Sequence, residues 1–138
     1  LLSNAIEHGE GRPVEVTLAA TEHVLAVSVR DHGIGLSEQQ AAHVFDRFWR
    51  ADPSRDRTTG GTGLGLAIAQ EDARVHGGWL QVGSEPGRGA CFRLIVPRQE
   101  RYVVAEQPPP VPGPDEAHLD AQVPPVVLAL ASRTEEGV

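Results

Sequence analysis

The sequence predicts an α+β domain in which helices cover one face of a largely antiparallel sheet. Two pairs of strand-like segments and three stretches of helical spacing follow in the order helix, hairpin, helix, loop, helix, hairpin over the first 98 residues, which favours helices layered on one face of such a sheet. Leu1-Leu-Ser-Asn-Ala-Ile6 and the residues up to His8 read as a helix without a capping signal in front of it. Val14–Ala20 alternates apolar with polar, and Leu25, Val27 and Val29 resume the alternation after Thr21-Glu-His23, which predicts an antiparallel hairpin. Ser37-Glu-Gln-Gln40 has the spacing of a capping box, and Ala41, Val44, Phe45 and Phe48 follow at helical intervals, so a helix is expected from Glu38 to Phe48. Residues 50–62 hold almost nothing apolar and several helix breakers, the mark of a loop. Leu64 to His76 returns to helical spacing and stops on Gly77-Gly78. Trp79–Gly83 and Cys91–Val96 flank Glu85-Pro-Gly-Arg-Gly89 as a second hairpin. Val16, Val27, Phe45, Ile68, Leu80, Phe92 and Leu94 are the expected core.

Composition bounds the remainder. With 138 residues, 40% of them hydrophobic, the chain suits one domain with a real core and contains no apolar run long enough to span a bilayer. Twelve basic residues against 19 acidic ones give a net charge of −7, the wrong sign for holding a nucleic-acid backbone. Every one of the cations is Arg, and the lack of Lys excludes a P-loop. The single thiol, Cys91, can form neither an internal disulfide nor a cysteine-rich zinc cage, in keeping with a cytoplasmic setting. There is no Met, so Leu1 is not a translation start and the chain reads as a fragment. Seven of the eleven prolines follow residue 107, whereas thirteen of the fifteen glycines precede residue 98. The expected division is therefore a folded unit over 1–98 and an acidic, Pro-rich, disordered tail over 99–138, in which the apolar stretch Val126–Ala131 is the one part able to dock as a short helix or strand.

Three polar islands interrupt the packing pattern. Asn4 and His8 share a helix face one turn apart, where the Asn oxygen offers a neutral ligand for Mg²⁺; the pair fits an ordinary solvated face as well. Asp31-His-Gly-Ile-Gly35 follows a strand end directly. A carboxylate there can accept from an amino group such as N6 of adenine, with Gly33 and Gly35 admitting positive φ and close backbone approach, and it can equally be a simple turn. Gly60-Gly-Thr-Gly-Leu-Gly-Leu66 leads into a helix, so its free amides face the positive end of a helix dipole. It lacks the last glycine of a dinucleotide fingerprint, and a hinge is the alternative.

In this order and spacing the islands resemble the catalytic ATP-binding domain of sensor histidine kinases. Asn4 is similar to the N box, Asp31-x-Gly-x-Gly35 to the G1 box, Phe45-Asp-Arg-Phe48 to the F box and Gly61-Thr-Gly-Leu-Gly65 to the G2 box. The resemblance covers residues 1–97. Asn4-Ala-Ile-Glu-His-Gly-Glu-Gly11, Phe45-Asp-Arg-Phe-Trp-Arg-Ala-Asp-Pro53 and His76-Gly-Gly-Trp-Leu-Gln81 are most similar to the actinobacterial MtrB type.

The resemblance implies a two-layer α/β sandwich of the Bergerat type, here lacking its N-terminal part, and ATP with Mg²⁺ as cofactors. It implies that Asn4 holds the metal, that His8 lies towards the phosphates and that Asp31 binds the adenine amino group. Gly33 and Gly35 would shape the base pocket, and Gly61, Thr62, Gly63, Leu64 and Gly65 would form the phosphate loop. Residues 49–60 would be a lid hinged on Phe45 and Phe48, with Arg47, Arg50, Arg55 and Arg57 offering phosphate contacts. It further implies transfer of the γ-phosphoryl to a His of the kinase's own dimerisation domain, a homodimeric and membrane-anchored whole kinase, and an MtrA-like response regulator. No nucleic-acid partner is implied. None of His8, His23, His32, His43, His76 and His118 lies in an acceptor-like segment, so the chain by itself should not autophosphorylate and no catalytic residue is assigned. Two further readings are an ATP hydrolase of the gyrase or chaperone type in the same superfamily and a non-catalytic remnant. The F-box resemblance and the short hairpin after Val29 favour the kinase.

Overall fold

The computed structural model describes residues 1–54, 61–114, 122–124 and 128–130. Helix α1 (Leu2–His8) leads into the hairpin β1 (Glu15–Ala20) and β2 (Val24–Arg30); α2 (Glu38–His43) and α3 (Gly65–Val75) precede β3 (Trp79–Ser84) and β4 (Ala90–Pro97). The two hairpins join through β2 and β4 into one antiparallel sheet in the order β1-β2-β4-β3, with Val29 opposite Phe92 and Phe92 opposite Val82. The expected architecture of helices on a mainly antiparallel sheet is thus the one observed.

Local chemistry accounts for the element ends. The Ser37 hydroxyl accepts from the Gln40 amide at 3.2 Å while the Gln40 side chain accepts from the Ser37 amide at 2.9 Å, closing the capping box that starts α2. That helix ends at His43 rather than reaching Phe48: the amides of Val44 and Asp46 bond only three residues back, to Ala41 and His43, and Phe48 then takes a left-handed conformation at φ 64°, its amide donating to the carbonyl of Gly63. Helix α3 ends as expected before a glycine: Gly77 sits at φ 70°, where its amide bonds back to Arg74.

One sheet face carries Phe92, Ala90 and Val82, on which Leu1, Leu36, Val44, Phe45, Trp49 and Leu66 pack from the helical side. Phe45 meets Phe92 edge to face, with ring centroids 6.2 Å apart. The opposite face carries Val24, Ala26 and Ile95, together with the polar row Ser28, Arg30, Gln81 and Arg93, all buried apart from half-buried Trp79 beside them.

The core departs from expectation at two residues. Val16 and Ile68 are 56% exposed, and Leu18 is 67% exposed. The described helices lie over β3, β4 and the ends of β2, so the apolar row of β1 has nothing above it, and Ile68 falls on the outer side of α3. Leu80 and Phe92 are buried as expected; Val27, Phe45 and Leu94 are half-buried.

The larger correction concerns the residues after Arg98. The segment read as a disordered tail continues the fold: β5 (Tyr102–Val104) pairs antiparallel with β6 (Leu128–Leu130), and Val104, Val123 and Leu128 close over Val24, Ala26 and Ile95. Between these strands, Pro108 and Val111 are also buried. Apart from the run over 126–131, in which Leu128 lies, the segment offers only scattered apolar residues, but single side chains such as Val104, Val111 and Val123 suffice to cover a sheet that is already formed. Residues 115–121, 125–127 and 131–138 lie outside the described residues.

Phe92 is 1% exposed and belongs to the buried cluster on which the helical layer packs. Phe92→Ala should therefore lower unfolding free energy by about 3–5 kcal/mol in urea denaturation. Ile68→Ala should cost less than about 1 kcal/mol, and comparable losses from both would contradict this packing.

Candidate functional site

The site is built at one end of the sheet, where β2 finishes. Asp31, 2% exposed, follows Arg30 at the strand end, and its amide bonds to the Ala90 carbonyl at 2.9 Å. Its carboxylate Oδ1 accepts from the amide of Gly33 at 3.0 Å and from that of Ala90 at 3.3 Å. Two backbone donors thus fix the ring-like turn Asp31–Gly33 and leave Oδ2 without a hydrogen bond among the described residues. A buried carboxylate oxygen held in this way is a ready acceptor for an amino group.

Close backbone approach explains the glycines, differently for each. A Cβ on Gly33 would run into the carbonyl of His8 and the Cα of Gly9, so the turn after Asp31 sits directly against the end of α1. Gly33 is not in the positive-φ region, contrary to expectation; approach alone demands glycine there. Gly35 has φ 64° and lies against the carbonyl of Glu85, on the turn that links β3 and β4. The Gly87 amide donates to the Ile34 carbonyl at 2.7 Å, and Gly89, at φ 83°, passes under the Asp31 carbonyl. Gly9, which the motif reading did not single out, is buried against Ala5 and the Asp31 side chain.

Through Gly9 and Gly33, α1 is seated beside Asp31, which brings the half-buried Asn4 and His8 to the same end of the sheet. Asn4 and His8 are a turn apart on this helix, as expected. Among the described residues no group of three or more His, Cys, Asp or Glu could hold a metal. A cation at Asn4 would need most of its ligands from elsewhere.

The glycine loop meets the F-box residues through backbone. Gly63, at φ 72°, packs on Phe48 and the carbonyl of Trp49, and its own carbonyl accepts from the Phe48 amide at 2.9 Å. Phe48 is 71% exposed, so its contribution is conformational, whereas half-buried Phe45 anchors the segment on Phe92. Gly61 and Gly65 face open space, Thr62 is exposed and Leu64 is half-buried. Helix α3 begins at Gly65 with Leu64 as its N-cap, and no side chain caps it; its first turn holds no acidic residue. Amides of an uncapped helix start are free for an anionic ligand.

Of the loop arginines, Arg47 is exposed and Arg50 is half-buried with a protein partner, while Arg55 and Arg57 lie outside the described residues, as do residues 55–60 of the expected lid. A cavity of about 540 Å³ lies elsewhere among the described residues, between α3, β3 and the segment after β5, lined by Arg74, Trp79, Gln81, Val104 and Val111 among others. No described helix is long and apolar enough to cross a membrane.

Two contrasting glycine pairs test this geometry. Gly33→Ala and Gly63→Ala each force a methyl into backbone and should cost about 1–3 kcal/mol of stability in chemical denaturation. Gly61→Ala and Gly65→Ala meet open space and should stay within about 0.5 kcal/mol. Equal effects in both pairs would show that the close approaches are not formed.

Residues 1–100 match the family model described as histidine kinase-, DNA gyrase B- and HSP90-like ATPase. The chain is 54% identical over 111 residues to the sensor histidine kinase MtrB of Mycobacterium leprae, covering 80% of this chain and 20% of that protein. With the signal transduction histidine-protein kinase AfsQ2 of Streptomyces coelicolor the identity is 43% over 120 residues, 87% of this chain and 21% of that one. The chain thus spans about a fifth of the length of the curated relatives it matches. Among solved structures, the mycobacterial sensor histidine kinase MprB superposes with a TM-score of 0.59 at 30% identity, over 70% of this chain and 66% of that one. Full-length ShkA in complex with AMPPNP gives the same TM-score at 33% identity, over 68% of this chain and 19% of that one. The chain belongs to the histidine kinase-, DNA gyrase B- and HSP90-like ATPases, as an ATPase domain of the sensor histidine kinase kind.

Proposed function

We propose that this chain is the nucleotide-binding part of a two-component sensor kinase, taking ATP with Mg²⁺ and presenting its γ-phosphoryl to a His on the kinase's dimerisation domain. The observation that carries the reading is Asp31, a buried carboxylate at a strand end with one oxygen fixed by two amides and the other unbonded among the described residues. That oxygen accepts the exocyclic amino group of adenine and would meet a carbonyl in guanine. Gly33 and Gly35 keep side chains out of the base's path. Gly61, Thr62, Gly63, Leu64 and Gly65, at the uncapped start of α3, supply amides to the phosphates.

Asn4 would supply a neutral oxygen to Mg²⁺, a cation that keeps much of its hydration and takes few protein ligands beside a triphosphate. His8 lies towards the phosphates. When bound, the ion neutralises charge on the triphosphate; the chain's own residues position it, and phosphoryl transfer of this kind depends on positioning and charge more than on covalent chemistry. The likeness to MtrB and AfsQ2 over the catalytic part supports the kinase rather than an ATP hydrolase. In this reading the working protein is a homodimer with its catalytic part in the cytoplasm and a membrane anchor elsewhere in the kinase. Its phosphoryl group passes to an Asp of a response regulator of the MtrA kind.

Isothermal titration is the direct test. ATP with Mg²⁺ should give saturable heat and GTP should bind poorly, whereas equal affinity would remove Asp31 from its role. Asp31→Asn keeps an oxygen for the two amides but turns a donor towards the base, and should weaken ATP by about 1.5–3 kcal/mol. Asn4→Ala should weaken ATP only when Mg²⁺ is present; the same loss in its absence would deny the metal contact.

A further inference from the structure

The nucleotide site accounts for the helical side of the sheet and leaves the other side unexplained. There residues 104–113 run along the sheet from the Trp79 end to the β3–β4 turn. It is tied at the Trp79 end, where the Val104 amide donates to Gly77 at 2.7 Å and the Trp79 indole N–H donates to the Val104 carbonyl at 3.0 Å. Midway, the Gln81 amide nitrogen donates to the carbonyls of Pro108 at 2.8 Å and Pro109 at 3.2 Å. Val111, 8% exposed, then packs on the Cα of Gly83, where any side chain would collide with it. Arg30 donates to the Pro112 carbonyl at 3.3 Å, and Gly113 comes up to the Glu85 side chain.

The residue types suit this path. Proline brings a carbonyl acceptor and no N–H, so a Pro-rich segment can cover the polar row Ser28, Arg30, Gln81 and Arg93 without burying donors of its own. Its φ is fixed in advance, which lowers the ordering entropy lost on docking. The far end of the crossing holds the two elements that shape the site from below: Arg30 is the residue before Asp31, and Glu85 opens the turn on which Gly35 and Asp31 rest.

We propose that Gln107–Gly113 is a brace that fastens the end of β2 to the β3–β4 turn and so positions Asp31 and the Gly33–Gly35 turn for the adenine base. These are positioning residues, acting through Arg30, Gly83 and Glu85 on a site whose ligand rests on the nucleotide reading above.

The test uses the full 138-residue chain, with amide hydrogen exchange read at Gly33, Gly87 and Ala90 and ATP affinity read by calorimetry. In one variant a Gly/Ser linker of equal length replaces residues 107–113, keeping β5 and β6; the others are Val111→Ser and Val111→Ile. The linker and Val111→Ser should speed exchange at the three amides about tenfold while the amides of α3 stay unchanged, because the brace acts on one end of the sheet. ATP affinity should fall about fivefold in the same two variants, and Val111→Ile should restore both readings. If the linker chain does not fold, the contrast between Val111→Ser and Val111→Ile decides. Unchanged exchange at the three amides, or acceleration that includes α3 equally, would overturn the brace. If the parent chain takes up no ATP the nucleotide reading fails, and the exchange readings still judge the brace.

Discussion

The motif-bearing segments of this domain are hung on one apolar seat, the packing of the helical layer on the cluster around Phe92. Leu1, Leu36, Phe45, Trp49 and Leu66 come from four separate stretches of chain, and each lies next to a segment that carries a motif. Leu1 starts the helix of Asn4, Leu36 follows Gly35, Phe45 and Trp49 bracket Phe48, and Leu66 follows Gly65. Glycine-rich backbone has little side-chain surface with which to hold a position, so its placement has to be borrowed from apolar neighbours. The alternation of glycines with single large apolar residues in these motifs is the sequence form of that requirement.

Asp31 is where the apolar frame becomes chemistry. A buried carboxylate costs several kcal/mol unless its oxygens are engaged, and here one oxygen takes two backbone amides from opposite sides, the local turn and β4. The same atom that closes the turn therefore locks it to the sheet. A side chain used so heavily in structure can still present its second oxygen to a ligand, and its orientation is then set before any ligand arrives.

Much of this was legible in the sequence, for reasons that can be named. Strand alternation gave both hairpins, and the Ser37–Gln40 spacing gave the start of α2, because these depend on contacts within a few residues. The early end of α2 was hidden, since Phe48 leaves the helix for a partner fifteen residues on, at Gly63. Exposure of Val16 and Ile68 was hidden as well, because alternation tells which residues share a face but not what covers it. The tail was misread for a different reason. Composition measures whether a segment can build a core of its own, and residues 101–114 build none; they complete one made by β2, β3 and β4. Among the site residues, Gly33 was expected for close backbone approach, which it makes, and for a positive φ, which it does not adopt; Gly9 was passed over, because its close approach to Asp31 comes from a segment distant in sequence.

The lone thiol, Cys91, is fully buried on the covered face, between Arg30 and Gly83 in the strand register. A thiol reacts as its anion and needs access to its reagent, so in the closed molecule it is chemically silent. Alkylation or oxidation at Cys91 can proceed only during openings that lift the cover from the sheet. The chain thereby carries its own clock for such openings, one sulfur atom whose rate of modification counts how often that face meets solvent.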